Sequence, residues 1–100
     1  MSTPKILAYI DFKIKNQAAF KEYAQRVGET LALYGGKTIA VKIGPDFILG
    51  PRDVDVQVIQ EWPSKESFMA WHDSAEYAPL KALRDTQAMG NPSISIIDMI

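Results

Sequence analysis

Apolar and polar residues alternate from Lys5 to Ile14. Ile6, Ala8, Ile10, Phe12 and Ile14 fall on one side, and Lys5, Tyr9, Asp11 and Lys13 on the other, joined by Leu7. A period of two is that of a half-buried strand. The period then changes. Phe20, Tyr23, Ala24, Val27, Leu31 and Tyr34 recur at helical spacing as one apolar stripe, with Lys21, Glu22, Gln25, Arg26 and Glu29 away from it. Asn16 is placed to cap the start of this helix. Gly35-Gly36 is placed to end it, because glycine takes the left-handed conformation past a helix end without a Cβ penalty. Gly28, inside the helix, costs roughly 1 kcal/mol against alanine; a close approach of helix to sheet would account for it.

Lys37 to Ile43 reads as a second strand, interrupted by Gly44-Pro45, with Asp46 to Leu49 as a short extended continuation and Gly50-Pro51 as a turn. The third strand is predicted from Asp53 to Trp62, where Val54, Val56 and Val58 alternate with Asp55, Gln57, Ile59 and Glu61. These two strands are expected to pair as an antiparallel hairpin with a long, irregular tip. Pro63 has no N–H for a ladder, so pairing stops there. Ser64 is a good N-cap, and Glu66 sits in the first turn, where the helix dipole favours an anion. A second helix is predicted from Ser64 to about His72, with Phe68 and Trp71 on one face. Ser74 is placed to cap a further turn, Pro79 to break continuity, and Leu80, Leu83 and Gln87 to continue at helical spacing. Gly90-Asn91-Pro92 reads as a loop and Ile94 to Ile100 as the fourth strand.

The order β-α-β-β-α-β is the ferredoxin-like, split βαβ arrangement. With right-handed crossovers it makes an α+β sandwich: a four-stranded antiparallel sheet with its helices on one face. The other face receives Leu7, Tyr9 and Ile59, which is more apolar than water requires. A second copy related by two-fold symmetry would cover it, so a homodimer through the open sheet face is expected.

Composition narrows the function classes. One hundred residues at 47% hydrophobic content suit a single domain over 1–100. A chain this short buries a modest share of its surface, and a second subunit would help. The formal charge of −1, from 11 basic and 12 acidic residues, leaves no electrostatic footprint for nucleic acid or anionic lipid. Without cysteine there is no disulfide framework, thiolate nucleophile, Cys-type zinc site or iron–sulfur cluster. Met1 to Lys5 leads directly into the first strand and lacks the apolar core of a signal peptide. No segment has membrane-spanning length, so a cytoplasmic location is expected.

Few residues carry candidate chemistry. His72 is the only side chain whose ordinary pKa lies near neutrality, which suits a general acid or base. A lone helical histidine with no acid partner evident in sequence is more often structural. A haem-ligand role is chemically permitted, but no cofactor is expected. Tyr23, Tyr34 and Tyr77 could hydrogen-bond a substrate from a pocket wall, or pack in the core with the hydroxyl reaching backbone or water. Arg52 and Arg84 could hold a small carboxylate through the guanidinium fork, or pair with Asp53, Glu76 or Glu61. Asp53, Asp55 and Glu61 share one face of the third strand, but no histidine joins them; charge pairing across a dimer is expected rather than a metal. The Gly-rich phosphate loop, Gly-x-Ser-x-Gly, His-Glu-x-x-His and the dinucleotide fingerprint are all absent from the sequence.

Four stretches, taken in order, carry a family resemblance: Phe20-Lys21-Glu22-Tyr23, Leu33-Tyr34-Gly35-Gly36, Glu61-Trp62-Pro63-Ser64, and Trp71-His72-Asp73-Ser74-Ala75-Glu76-Tyr77 with Leu80, Leu83 and Arg84. In these, over nearly its whole length, the chain resembles the family of domain of unknown function 1330, in the dimeric α+β barrel superfamily. It departs from the closer pattern mainly at Gly44 to Asp53. The resemblance implies two ferredoxin-like subunits whose sheets pack face to face, and no established reaction. Relatives in the wider superfamily include cofactor-free monooxygenases, muconolactone-isomerase-like enzymes and haem-degrading proteins.

Three functions are consistent with this reading. A binding protein would hold a small organic molecule between helices and sheet, against Tyr23, Tyr34, Trp71, His72 and Tyr77. A cofactor-free monooxygenase or isomerase would use His72 to move protons and Arg52 or Arg84 to hold an anionic group. A purely structural dimer would have a filled interior. An enzyme requires a cavity reached by a His72 ring nitrogen and a tyrosine hydroxyl. A binding protein requires the cavity without those converging groups.

Overall fold

The alternation ahead of Ile14 becomes strand β1 (Ile6–Ile14) in a computed structural model that describes residues 5–100. The lead-in read from Met1 to Pro4 lies outside those residues. Ile6, Ala8, Ile10 and Phe12 are buried under the helices, and Ile14 packs at the margin of the same core. Helix α1 (Gln17–Ala32) starts at Asn16, whose Oδ1 accepts from the Ala19 N–H at 2.9 Å. It ends where the Gly36 N–H reaches the Leu31 carbonyl at 3.0 Å, with Gly35 at φ +84°. Gly36 meets a second demand: a Cβ there would lie 2.6 Å from ring carbons of the buried Trp62.

Strand β2 (Lys37–Ile43) pairs antiparallel with β3 (Val56–Trp62), and β3 pairs with β1. Helix α2 (Lys65–His72) follows, capped by Ser64 Oγ accepting from the Ser67 N–H at 3.1 Å. Phe68 and Trp71 of α2 pack against Trp62, with ring centroids 5.5 and 5.3 Å away. Ser74 Oγ donates to the Trp71 carbonyl at 2.7 Å and accepts from the Tyr77 N–H at 3.1 Å, which turns the chain into helix α3 (Ala78–Leu83). Pro79 lies in the first turn of α3, where its missing N–H is not needed. A π-helical turn, Arg84–Ala88, leads into β4 (Met89–Asp98). The sheet order is β2-β3-β1-β4, all neighbours antiparallel, so the ferredoxin-like α+β fold is present.

Four readings are corrected. β3 starts at Val56 rather than Asp53: ahead of it the pairing turns irregular, with the Asp55 N–H on the Phe12 carbonyl at 2.9 Å, and the acidic side chains bond to β1 and its margin. Asp55 Oδ2 accepts from the Ile14 N–H at 2.7 Å and Asp53 meets Lys13 Nζ at 3.0 Å. Asp46 to Leu49 is loop, bent at both ends by Gly44 (φ +73°) and Gly50 (φ +66°), with Ile48 and Leu49 in solvent. Gly90-Asn91-Pro92 belongs to β4, because pairing resumes at Lys13↔Gly90 and Ile14↔Met89 beyond a register shift. Asn91 at φ +53° is an irregularity that an edge strand accommodates, and Pro92 is tolerated there for the same reason. Finally, close packing does not explain Gly28. A Cβ there would meet nothing within 4 Å, because α1 stands off the sheet at that point.

The register sends Leu7, Tyr9, Ile59 and Ile97 to the face without helices, where Leu7 opposes Ile97 and Tyr9 opposes Ile59. Gln57 Nε2 donates to the Tyr9 hydroxyl at 3.0 Å on that face, and Lys5 Nζ meets Glu61 Oε1 at 2.8 Å at its edge.

Candidate functional site

Two neighbourhoods on the helical side bear on function. The first is a polar knot among α1, α2 and the segment after it. Tyr77, fully buried, bonds the Tyr23 hydroxyl at 2.5 Å. The π-helical turn brings Arg84 inward, where Nη1 donates to the Tyr77 hydroxyl at 3.3 Å and lies 3.2 Å from His72 Nε2. Its Nε and Nη2 hold the Asp85 carboxylate at 2.8 and 3.2 Å. The Trp71 ring lies on Tyr77 with centroids 4.0 Å apart, and its Nε1 donates to Thr30 Oγ1 at 3.0 Å.

Arginine can only donate, so His72 Nε2 faces a donor, while Nδ1 has both the Lys81 ammonium at 3.4 Å and Asp73 Oδ1 at 3.5 Å beside it. Burial, then the Lys81 ammonium and Arg84, hold the His72 imidazole below its ordinary pKa, against the pull of Asp73. Burial, then the Tyr77 phenol, push Tyr23 well above the ordinary tyrosine range. Burial also raises Tyr77, against its bonds from Tyr23 and Arg84. At neutral pH the knot is therefore one guanidinium, one carboxylate and three neutral rings, with its polar groups bonded to one another. Its geometry accounts for packing and for burying Arg84.

The second neighbourhood is a cleft of about 320 Å³ between α1 and the sheet. Phe20, Tyr23, Ala24, Val27 and Gly28 line it from α1, Ile10 and Phe12 from β1, and Thr38 and Val41 from β2. Val56, Val58 and Gln60 line it from β3, and Met89 from the start of β4. The gap has a local cause. Ala24 and Gly28, four apart on α1, offer too little side chain to reach β2, so Val41 stays 56% exposed on the helical side. No Lys, Arg, Asp, Glu or His lines the cleft.

Of the candidates singled out in the sequence, the structure brings Tyr23, Trp71, His72, Tyr77 and Arg84 together, but in the knot. Only Tyr23 also lines the cleft. Tyr34 lies apart, donating to Glu76 Oε2 at 2.9 Å and tying the end of α1 to the turn before α3. Arg52 is exposed in the β2–β3 loop, where it donates to the Gly50 carbonyl at 3.0 Å. Neither arginine takes Asp53, Glu76 or Glu61: Arg84 takes Asp85, and Arg52 takes a backbone carbonyl. Glu61 and Asp53 pair within the chain, with Lys5, Lys37 and Lys13. No three His, Asp or Glu side chains converge as a metal site among the described residues. The cleft residues Thr38, Val41 and Gln60 were missed. The available signal was the small pair at Ala24 and Gly28 on a stripe that otherwise carries large apolar side chains.

The family model described as domain of unknown function (DUF1330) matches residues 5–98. Among solved structures, a protein of unknown function from Rhodopseudomonas palustris superposes with a TM-score of 0.83 at 17% identity, covering 98% of this chain and 84% of its own. SnoaB, a cofactor-independent oxygenase from Streptomyces nogalater, superposes at 0.67 with 13% identity, covering 97% and 94%. A dimeric protein of unknown function and ferredoxin-like fold from Bacteroides fragilis superposes at 0.60 with 7% identity, covering 95% and 96%. At these identities the likeness is one of fold. No curated protein matches the chain in sequence.

Proposed function

The chain belongs to the family of domain of unknown function 1330, and from that premise we propose that it acts as a homodimer binding a small organic molecule in the cleft between α1 and the sheet. The cleft carries the proposal. Its 320 Å³ lies at the small end of the range for ligand pockets, about 300–1,000 Å³, and its lining is mostly apolar with few polar groups. A helix that carries Gly28 over open space, at a cost in helix stability, fits a protein that keeps a cavity rather than filling it. The dimer is supported by Leu7, Tyr9, Ile59 and Ile97 on the open face and by a fold neighbour described as dimeric. A single domain over the whole chain and a cytoplasmic location belong to the same proposal. No helix among the described residues is long and apolar enough to cross a membrane.

The enzymatic alternative draws on fold likeness to a cofactor-independent oxygenase, which is a weak warrant for function. His72, its proposed proton carrier, does not line the cleft, and its ring nitrogens face Arg84, Lys81 and Asp73. The binding reading is the better supported.

Backbone amide NMR with uncharged bicyclic compounds at millimolar concentration tests it. Shifts at Val27, Val41 and Met89, abolished by Gly28→Phe, are the expected result. Resonances around the cleft that respond to no such compound would remove the proposal.

A further inference from the structure

Given that reading of the cleft, we propose that Gln60 sets its specificity, for an uncharged and largely apolar ligand bearing a carbonyl-type hydrogen-bond acceptor. Gln60 is only 3% exposed, yet lines the cleft from β3. Its Oε1 accepts from the Trp62 indole N–H at 3.0 Å. An indole nitrogen can only donate, so the orientation of the Gln60 amide is settled and its NH2 points away from Trp62. That NH2 makes none of the hydrogen bonds found among the described residues. No fully sealed polar side-chain atom among them lacks a partner. The Gln60 Nε2 is therefore not sealed from solvent, and we take the cleft that Gln60 lines as its opening, where it stands as a donor without a protein acceptor.

A ligand that fills the cleft shuts solvent away from this donor, which is costly unless the ligand brings an acceptor to it. Thr38 stands directly across the β2–β3 register from Gln60, so the polar groups of the cleft gather at one end. The remainder is hydrocarbon: Ile10, Val27, Val41 and Val58 among others. A carboxylate or ammonium would enter without a counter-charge, because no ionisable chain other than the neutral Tyr23 lines the cleft. Shape and polarity thus select one acceptor at the Gln60 end and an uncharged apolar body over α1. The anion-holding role considered for Arg52 and Arg84 has no place in this cleft.

Three probes of one size separate the possibilities: 1-tetralone, tetralin, which lacks the carbonyl, and 1-naphthoate, which is charged. Binding is read by NMR titration of the intact protein, with the Gln60 side-chain NH2 resonances followed beside those of Val27, Val41 and Met89. The expected result is about 5-fold tighter binding of tetralone than tetralin, the worth of one net hydrogen bond. The Gln60 NH2 should shift with tetralone alone, and naphthoate should bind weakest. Gln60→Met should then equalise tetralone and tetralin; because this variant also unpairs the Trp62 indole, the wild-type NH2 shift supplies the readout that does not depend on its folding. Equal binding of tetralone and tetralin with a silent Gln60 NH2 overturns this assignment and leaves the cleft a ligand site. Preference for naphthoate overturns the uncharged class. No response at Val27, Val41 or Met89 to any probe removes the binding reading itself, and this assignment with it.

Discussion

Gly28 and Gly36 lie in and just beyond one helix and have opposite physical roles. A methyl group at Gly28 meets open space, so Gly28→Ala should raise stability by about 1 kcal/mol in chemical denaturation, the helix-propensity difference alone. At Gly36 the same methyl would press into the Trp62 ring, which is fully buried and cannot withdraw. Gly36→Ala should cost about 1–3 kcal/mol, the usual penalty of overpacking. His72 makes a prediction in pH. Its folded pKa is depressed, so between the unfolded value and the folded one the unfolded chain binds the proton more readily. Stability should therefore fall as pH drops from 7 toward 5 and level off below the folded pKa. Glu61, Glu76 and Asp85 also have lowered values, but they act from the carboxylate range downward. The charged neighbours facing His72 are Lys81, Arg84 and Asp73. His72→Gln should flatten thermal stability across pH 5–7; an unchanged slope in that variant would exclude His72 as the cause.

Along the elements, local chemistry explains most boundaries. The Asn16 and Ser64 caps form as their side chains suggest, and Ser64→Ala should cost about 1 kcal/mol by denaturant titration. The last strand behaves differently. Glycine, asparagine and proline in succession spell a loop, yet pairing with β1 carries the strand through them, since strand order is settled by long-range partners. Asn91 is the residue that makes this affordable, because asparagine enters the left-handed region more easily than a branched side chain. Asn91→Gly should be nearly neutral and Asn91→Val should lose about 1–2 kcal/mol. Arg84 shows the same dependence on context. Helical spacing places it one turn after the buried Leu80, and at the start of the π-helical turn it meets Tyr77, His72 and Asp85. Such turns are common at functional sites, but here the turn's main effect is to give a buried guanidinium its partners.

For the assembled protein, the two faces of the sheet divide the work: one carries the helices and the cleft, the other carries Leu7, Tyr9, Ile59 and Ile97. If the second face is the dimer interface, Ile59→Lys should leave the circular dichroism spectrum intact and shift the sedimenting species from dimer to monomer. A wild-type protein that sediments as monomer at micromolar concentration would remove the dimer from the proposal.

The two periodicities of the chain, its caps and its glycine punctuation were enough to establish the element order, the ferredoxin-like topology, and the buried sides of β1 and α1. Those features depend on neighbours a few residues apart, or on the alternation of a single strand. The partners of Arg84, the bulged entry into β4 and the cleft beside Gln60 could not be read in that way. The strand entry and the cleft depend on residues tens of positions apart meeting in the sheet and beneath α1, and the partners of Arg84, 1 to 12 positions away, depend on how the turns around α3 fold. Ala24 and Gly28 are small in any context, but they leave a cavity only because β2 and β3 arrive beneath them. Periodicity reports which side of an element is buried; it does not report how far apart two buried sides come to rest.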